Sequence, residues 1–402
     1  MMRKNQRSLL ILCFMATSLI SLSAQNVKVF ILAGQSNMQG HGDIEPEDIF
    51  GTLSHFMAND GSGMFDHIQN PNGTWATRDD VWVRYDHENG NLLADRLAVG
   101  YGGWIGQIGP ELGFGHLIGE YCEEQVLLVK TCWGGKNLAV DFRPPSSGGA
   151  VGPYYTQMVN DVNAAMENIA SEFPGYSGGE IEIAGLCWFQ GWNDGEEDAY
   201  LLEYEENLKN LIMDLRTEFN TPDLPVVVGL TGNGGFDIWQ NDLWVQSLQT
   251  ILVPAQIDAA EYAGFTNVTY AETRGFHRDE NVSPESAIHH WNNNAESYLR
   301  IGHEMGLRML ELLDQNSTST LEIEESNIRI FPSPAAEFIQ VEGLPTSSSI
   351  HILNLDGRLV KQVNDISNRE EIGITELPSG MYFTELLDAS GNRIATGKFI
   401  KE

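Results

Sequence analysis

Five apolar runs of strand length constrain this chain more than any other feature: Val27 to Ala33, Gln125 to Lys130, Ile181 to Trp188, Pro225 to Leu230 and Asn267 to Ala271. Between or after them lie segments with apolar residues at helical spacing. Tyr155, Met158, Val162, Ala165 and Ile169 mark one, Leu201, Tyr204, Leu208, Leu211 and Leu215 the next, and Tyr298, Ile301, Met305, Met309 and Leu312 a late one. Strands that alternate with amphipathic helices predict an α/β fold, a parallel sheet covered on both faces. Ligands of such sheets bind beyond the carboxyl ends of the strands, so chemistry is sought in the residues that follow each run.

Near Asn316 the pattern changes. A Ser/Thr-rich stretch, Asn316 to Ser319, precedes short β-like runs at Asn327 to Phe331, Phe338 to Val341, Ile350 to Asn354, Met381 to Leu387 and Ile394 to Ile400. Asp356-Gly357, Ser379-Gly380 and Gly391-Asn392 supply turn chemistry between them. A main domain over 25–316 and a small β-sandwich over 317–402 are expected. About ninety residues rich in Gly, Asn, Asp and aromatics separate the first two strand runs; an insertion of that length at the active-site end is expected to shape substrate binding.

Residues 1–24 read as a secretory signal peptide: Arg3, Lys4 and Arg7, then an apolar run from Leu9 to Leu22, then small residues ending at Ala24. The run is short for a bilayer span and no other segment is apolar enough, so no membrane insertion is expected. A formal charge of −33 disfavours nucleic acid and anionic membranes as partners. Of four cysteines Cys13 lies in the leader, and the other three, Cys122, Cys132 and Cys187, cannot all pair. Buried free thiols are expected, with a Cys132–Cys187 bridge as the alternative. Neither a C-x-x-C pair nor an EF-hand-like loop calls for a metal.

The first run leads into Gly34-Gln35-Ser36-Asn37-Met38. A serine just after a parallel strand can present its hydroxyl and its own N–H to one substrate carbonyl; the alternative is a serine that caps the next helix. The second run leads into Trp133-Gly134-Gly135-Lys136 and the third into Gln190-Gly191-Trp192-Asn193-Asp194. Ester hydrolysis passes through a tetrahedral oxyanion that needs fixed donors. The N–H of Gly135 and the amide of Asn193 could supply two, although glycines and asparagines are also ordinary turn residues. A base must activate the hydroxyl, and the pair His289-His290 lies where the end of the fold can return over the first strand.

These blocks, in this order, resemble the SGNH hydrolases of the acetylxylan and sialate O-acetylesterase branch. Gly34 to Met38 is similar to their first block, Gly134-Gly135 to the second and Gly191-x-Asn193-Asp194 to the third. Gly109 to Gly115, Asp141 to Pro145 and Asn294 to Tyr298 are similar to further stretches of that branch. The resemblance implies a flavodoxin-like three-layer fold, no metal or organic cofactor, Ser36 as nucleophile, Gly135 and Asn193 as oxyanion donors, and His290, preferred to His289, as base. Gln35, Gln190 and Arg143, in or beside the matched blocks, are candidate polar contacts for a sugar, with satisfaction of buried backbone as the equal alternative for each. Two positions depart from the branch: Ala287 stands where many members carry the Asp that orients the catalytic His, and Trp192 where relatives carry Glu. Glu285, Asp194 and Glu272 are the remaining carboxylate candidates, and a Ser36–His290 dyad is the expected outcome.

The C-terminal segment resembles the sorting domain of the type IX secretion system of Bacteroidetes, on Ile330 to Ala335, Leu355 to Gly357, Leu377 to Tyr382 and Lys398 to Lys401. Together the resemblances imply an exported serine esterase that removes acetyl groups from oligo- or polysaccharide, with the secretion machinery as partner. A catalytically silent carbohydrate-binding protein on the same fold and a lipase or thioesterase are the rival readings.

Overall fold

The computed structural model describes residues 25–232, 234–236, 242–318, 329–331, 335–342, 348–353, 359–378, 380–387 and 393–401. The expected leader lies outside them, as do Asp356-Gly357, Ser379 and Gly391-Asn392. Compact packing divides the chain into one unit of residues up to 60 and 68–312, and a second of 61–67 and 313 onward.

Each of the five apolar runs forms a strand of the larger unit: β1 Val27–Gly34, β4 Gln125–Cys132, β5 Ile181–Phe189, β6 Val226–Gly229 and β7 Val268–Ala271. The insertion adds β2 Arg78–Asp86 and β3 Leu92–Leu97, which the sequence reading missed. The seven-stranded sheet has the order β3-β2-β4-β1-β5-β6-β7, in which only β3 pairs antiparallel. Without the added pair, the order is that of a flavodoxin-like sheet, reversing direction at β1. The α/β expectation therefore holds, with an antiparallel edge that β2 and β3 extend through alternating apolar residues too sparse to read as strands among so many polar neighbours.

Helices α1 Pro110–Tyr121, α2 Pro153–Glu167, α3 Asp198–Glu218, α4 Val253–Ala260 and α5 Ala295–Thr318 complete the layers. Val29, Ile31 and Ala33 of β1 share a buried cluster with Met158 and Val162 of α2 and Leu208 and Leu211 of α3. On the other face Phe30 meets Phe114 of α1 edge-on at 5.7 Å, and α1 lies so close to α5 that a Cβ on Gly302 would sit 1.9 Å from the Pro110 carbonyl oxygen. Burial of each Leu, Ile or Val contributes roughly 1.5–3 kcal/mol, and this two-sided coverage explains why β1 is apolar along nearly its whole length. Helix α5 continues through Asn316, Ser317 and Thr318, residues read as linker. Its long amphipathic stretch sustains the helix into a turn of weak helix formers.

Register sets the active end. Gly34 pairs with Cys132 on one side and Phe189 on the other, so the three turns that follow leave the sheet at one level. A Cβ on Gly34 would lie 2.1 Å from the Phe189 carbonyl oxygen, which leaves glycine as the residue that lets these strands finish side by side.

In the second unit, Arg329–Phe331, Phe338–Glu342 and Glu371–Gly373 form a three-stranded sheet. Leu359–Ile366, Ser348–Leu353, Gly380–Leu387 and Arg393–Lys401 form a four-stranded one. All pairs are antiparallel, and Ile339, Val341, Ile350, Ile352, Ile372, Leu386 and Phe399 are buried together. The two small antiparallel sheets fit the expected β-sandwich. Leu359–Ile366 and Glu371–Gly373 went unread because the first mixes apolar and polar residues without strict alternation and the second has Ile372 as its one apolar side chain.

Cys122, Cys132 and Cys187 are free thiols. Among the described residues no helix is long and apolar enough to cross a membrane, and no group of His, Cys, Asp and Glu is placed to hold a metal ion.

Candidate active site

Ser36 opens a four-residue helix, Ser36–Gln39, directly after β1, and is 8% exposed. Helix N-termini leave their first N–H groups without intrahelical acceptors. No hydrogen bond among the described residues uses the Ser36 N–H, and the side chain of Gln35, at the cap position, does not bond back to the helix. Across a cavity of about 310 Å³ lie Gly134 and Gly135 after β4, Trp192 and Asn193 after β5, and His289 and His290 before α5. Gly135 takes φ +68° with open space where a Cβ would be, and its N–H is also uncommitted among the described residues. The Asn193 amide gives one N–H to Glu196 at 2.9 Å and keeps the other, while its oxygen accepts from Gln35 at 2.8 Å. Three N–H donors thus remain around Ser36, the number a developing oxyanion can use.

His290 is held by a strained turn. Trp291, Asn292 and Asn293 all have φ between 54° and 56°, a left-handed run rare for residues other than glycine. Asn292 clamps it, accepting from the Ala287 N–H at 2.9 Å and donating to the Arg278 carbonyl at 2.9 Å. Asn37, next to Ser36, donates to the His289 carbonyl at 3.1 Å and accepts from the Tyr298 hydroxyl at 2.8 Å, which ties this turn to the Ser36 helix.

The His290 ring stacks on His41, 3.8 Å between centroids and 6° between planes. Burial, then the neighbouring His41 and His289, lower His290 to about 3. Burial likewise lowers His41 to about 4, opposed by the polar side chain of Gln107 and assisted by His289 and the Lys130 ammonium. Lys130 is wholly enclosed: its three protons go to the Gln39 carbonyl at 2.7 Å, the Tyr101 carbonyl at 2.6 Å and the Glu111 carboxylate at 2.7 Å.

No carboxylate hydrogen-bonds the His290 ring among the described residues, in keeping with Ala287 in place of the expected Asp. Asp194 is fully buried and accepts from Leu138 N–H at 3.0 Å, Ala139 N–H at 3.1 Å and Gln190 at 2.6 Å. Burial pushes it up to about 7 although these donors favour the ionised form. It braces the turn beyond Gly135. Glu272 pairs with Arg274 at 2.5 Å, and Glu285 is exposed.

Gln35, Gln190 and Arg143, offered above as sugar contacts, spend their polar atoms inside the protein and do not line the cavity. The Gln35 oxygen accepts from Gly191 N–H at 3.0 Å, and Gln190 donates to the Lys136 carbonyl at 3.0 Å. Arg143 donates to the carbonyls of Ala139 at 2.8 Å, Ser147 at 3.0 Å and Gly148 at 2.7 Å, and pairs with Glu203. Their position beside matched blocks reflects the bracing those loops need. The cavity is lined instead by Gln39, His41, Glu88 and Trp104, none of which the sequence reading singled out. His41 lies in the Ser36 turn and was legible as a neighbour; Glu88 and Trp104 come from the insertion, whose internal structure carried no readable pattern.

A family model described as carbohydrate esterase, sialic acid-specific acetylesterase, matches residues 26–311. A second, described as secretion system C-terminal sorting domain, matches residues 329–402. Among solved structures, an Arabidopsis thaliana protein is 17% identical, covering 72% of this chain and 99% of its own, with a TM-score of 0.45. A structure titled as a novel carbohydrate acetylesterase from Xanthomonas citri is 13% identical, covering 92% of this chain and 80% of its own, with a TM-score of 0.43. No curated protein sequence matches. With most of its length spanned by the first model, the chain belongs to the carbohydrate esterase family of sialic acid-specific acetylesterases and carries a C-terminal secretion sorting domain.

Proposed function

We propose that the protein hydrolyses O-acetyl esters on carbohydrate through an acetyl-serine intermediate. The observation that carries this reading is the convergence of Ser36, His290 and three uncommitted N–H donors on one cavity. Ser36 Oγ attacks the acetyl carbonyl carbon while His290 takes its proton. The oxyanion is held by the N–H groups of Ser36 and Gly135 and by the Asn193 amide. Collapse breaks the bond to the sugar oxygen, which leaves with the proton from His290. Water, deprotonated by His290, then attacks acetyl-Ser36, and acetate departs as the serine regains its proton. His290 is preferred to His289 as base because it is the less exposed of the two and lies stacked on His41 of the Ser36 turn.

The test is hydrolysis of 4-nitrophenyl acetate by wild type and by folded Ser36→Ala, in which turnover should fall by roughly 10⁴-fold or more. Undiminished activity in that variant removes the proposal. A silent carbohydrate-binding protein is the second reading, favoured by the lack, among the described residues, of any carboxylate on the His290 ring, and it predicts no hydrolysis by wild type.

The sorting domain supports export through the type IX pathway to the surface or exterior of a Bacteroidetes-like cell, after removal of residues 1–24 as leader. The main domain over 25–316 and the tail over 317–402 are proposed as the functional division.

A further inference from the structure

The family's description names sialic acid, a sugar that carries a carboxylate. Sites that bind a carboxylate at close quarters normally offer it a guanidinium, an ammonium or a set of N–H groups, because its lost hydration must be replaced. No Lys or Arg lines this cavity among the described residues. Basic residues of the matched loops face other partners: the Lys136 ammonium lies over the Tyr154 ring at 4.5 Å with Asp141 at 4.0 Å, Arg143 is pinned by three carbonyls and Glu203, and Lys130 has all its protons taken. The histidines offer no standing charge either, since burial lowers His41, His289 and His290 alike. The free N–H groups beside Ser36 are those the acetyl oxygen requires.

What the cavity does present is an acid and two aromatics. Glu88 lies against the Gly134 N–H at 3.4 Å, next to the proposed oxyanion donor Gly135, and Glu196 holds the Asn193 amide. Trp104 stands 64% exposed at the wall, with Trp192 on the same cavity. An exposed indole offers a flat apolar face to the C–H side of a pyranose, and a carboxylate accepts hydrogen bonds from its hydroxyls. The same carboxylate repels a second one placed a few ångströms away.

We infer that the site takes a neutral acetylated sugar, its ring against Trp104 and its hydroxyls toward Glu88, and discriminates against acetylated sugars that carry a carboxylate. The inference rests on the proposed esterase reading for the place of the acetyl group, while the sugar preference is set by the wall of the cavity.

The experiment measures binding apart from turnover. Folded Ser36→Ala protein is titrated with an acetylated xylo-oligosaccharide and with O-acetylated N-acetylneuraminic acid, read by tryptophan fluorescence and calorimetry at low and high salt. In parallel, wild-type kcat/KM is measured on both sugars and on 4-nitrophenyl acetate. The neutral sugar should bind at least about tenfold more tightly, with the gap narrowing in high salt and in Glu88→Gln, and Trp104→Ala should weaken the neutral sugar by about tenfold. Equal or tighter binding of the anionic sugar, or binding of neither, overturns the inference. If wild type hydrolyses the aryl acetate yet prefers the anionic sugar, the inference falls and the esterase reading stands. If wild type hydrolyses nothing but binds the neutral sugar preferentially, the esterase reading falls and the preference stands.

Discussion

His290 lies face to face with His41 and has lost much of its hydration, which penalises the imidazolium and lowers the group to about 3. A base works in its neutral form, so activity should be lost only as pH falls through the lowered value. The acid limb of kcat/KM should therefore have its midpoint below the ordinary histidine value of about 6.5. A profile from pH 4 to 8 on 4-nitrophenyl acetate checks this, and a midpoint at or above the ordinary value counts against a buried neutral base. Asn193→Ala should cost about 10²- to 10³-fold, mainly in kcat, because its free N–H is proposed to bond the oxyanion more strongly than the ester. A change confined to KM would make Asn193 a binding residue. Asp194→Asn keeps one oxygen for the N–H groups of Leu138 and Ala139 but turns the other acceptor into an NH2 facing the Gln190 amide donor. It should lower unfolding stability by roughly 1–3 kcal/mol in urea titrations. The candidate residues Ser36, Gly135, Asn193 and His290 were legible because each follows a strand or precedes a helix that periodicity reveals. For Gln35 and Gln190 the sequence left sugar contact and backbone bracing equally open, since only the fold shows which atoms already have partners.

At the level of elements, the site depends on two short stretches with unusual backbone. The turn after His290 holds three residues in the left-handed region, each costing of order 1–3 kcal/mol, and Asn292 is the clamp that sustains it. Asn292→Ala should lower kcat by about 10- to 100-fold with little change in KM, as His290 drifts from Ser36, and thermal unfolding measured alongside should show the folded fraction retained at assay temperature. Unchanged kcat would mean that the turn needs no clamp. Before the fold was known, His289-His290 could be placed near the first strand only by its position ahead of a helix. The left-handed run could not be read: Asn tolerates positive φ better than most residues, but the sequence does not mark which of Asn292 to Asn294 adopt it, and Trp291 gives no sign at all. The insertion was opaque for a related reason: β2 is held by pairing to β4 and β3 by pairing to β2, contacts to which their sparse apolar alternation gives no clue.

For the whole molecule, the larger unit and the tail each bury their own apolar cluster. Ending the chain after Thr318, the last residue of α5, should leave esterase activity within about twofold while abolishing release from the native host. Loss of both together would make the tail part of the catalytic unit. The sheet order, the helices over both faces and the antiparallel tail were all foreshadowed by alternating apolar runs, since burial on two faces writes itself into composition. What surrounds the substrate was not, because Glu88 and Trp104 serve no core. Lys130 brings a different kind of consequence. One ammonium fastens the carbonyl of Gln39 after β1 to the carbonyl of Tyr101 in the insertion and the carboxylate of Glu111 at the start of α1. If that fastening breaks, Glu111 is left buried with an unpaired charge, so partial release gains nothing. Amide hydrogens around Gln39, Tyr101 and Glu111 should then exchange with solvent at one shared rate, as a single cooperative opening that removes one wall of the cavity while the central strands stay protected.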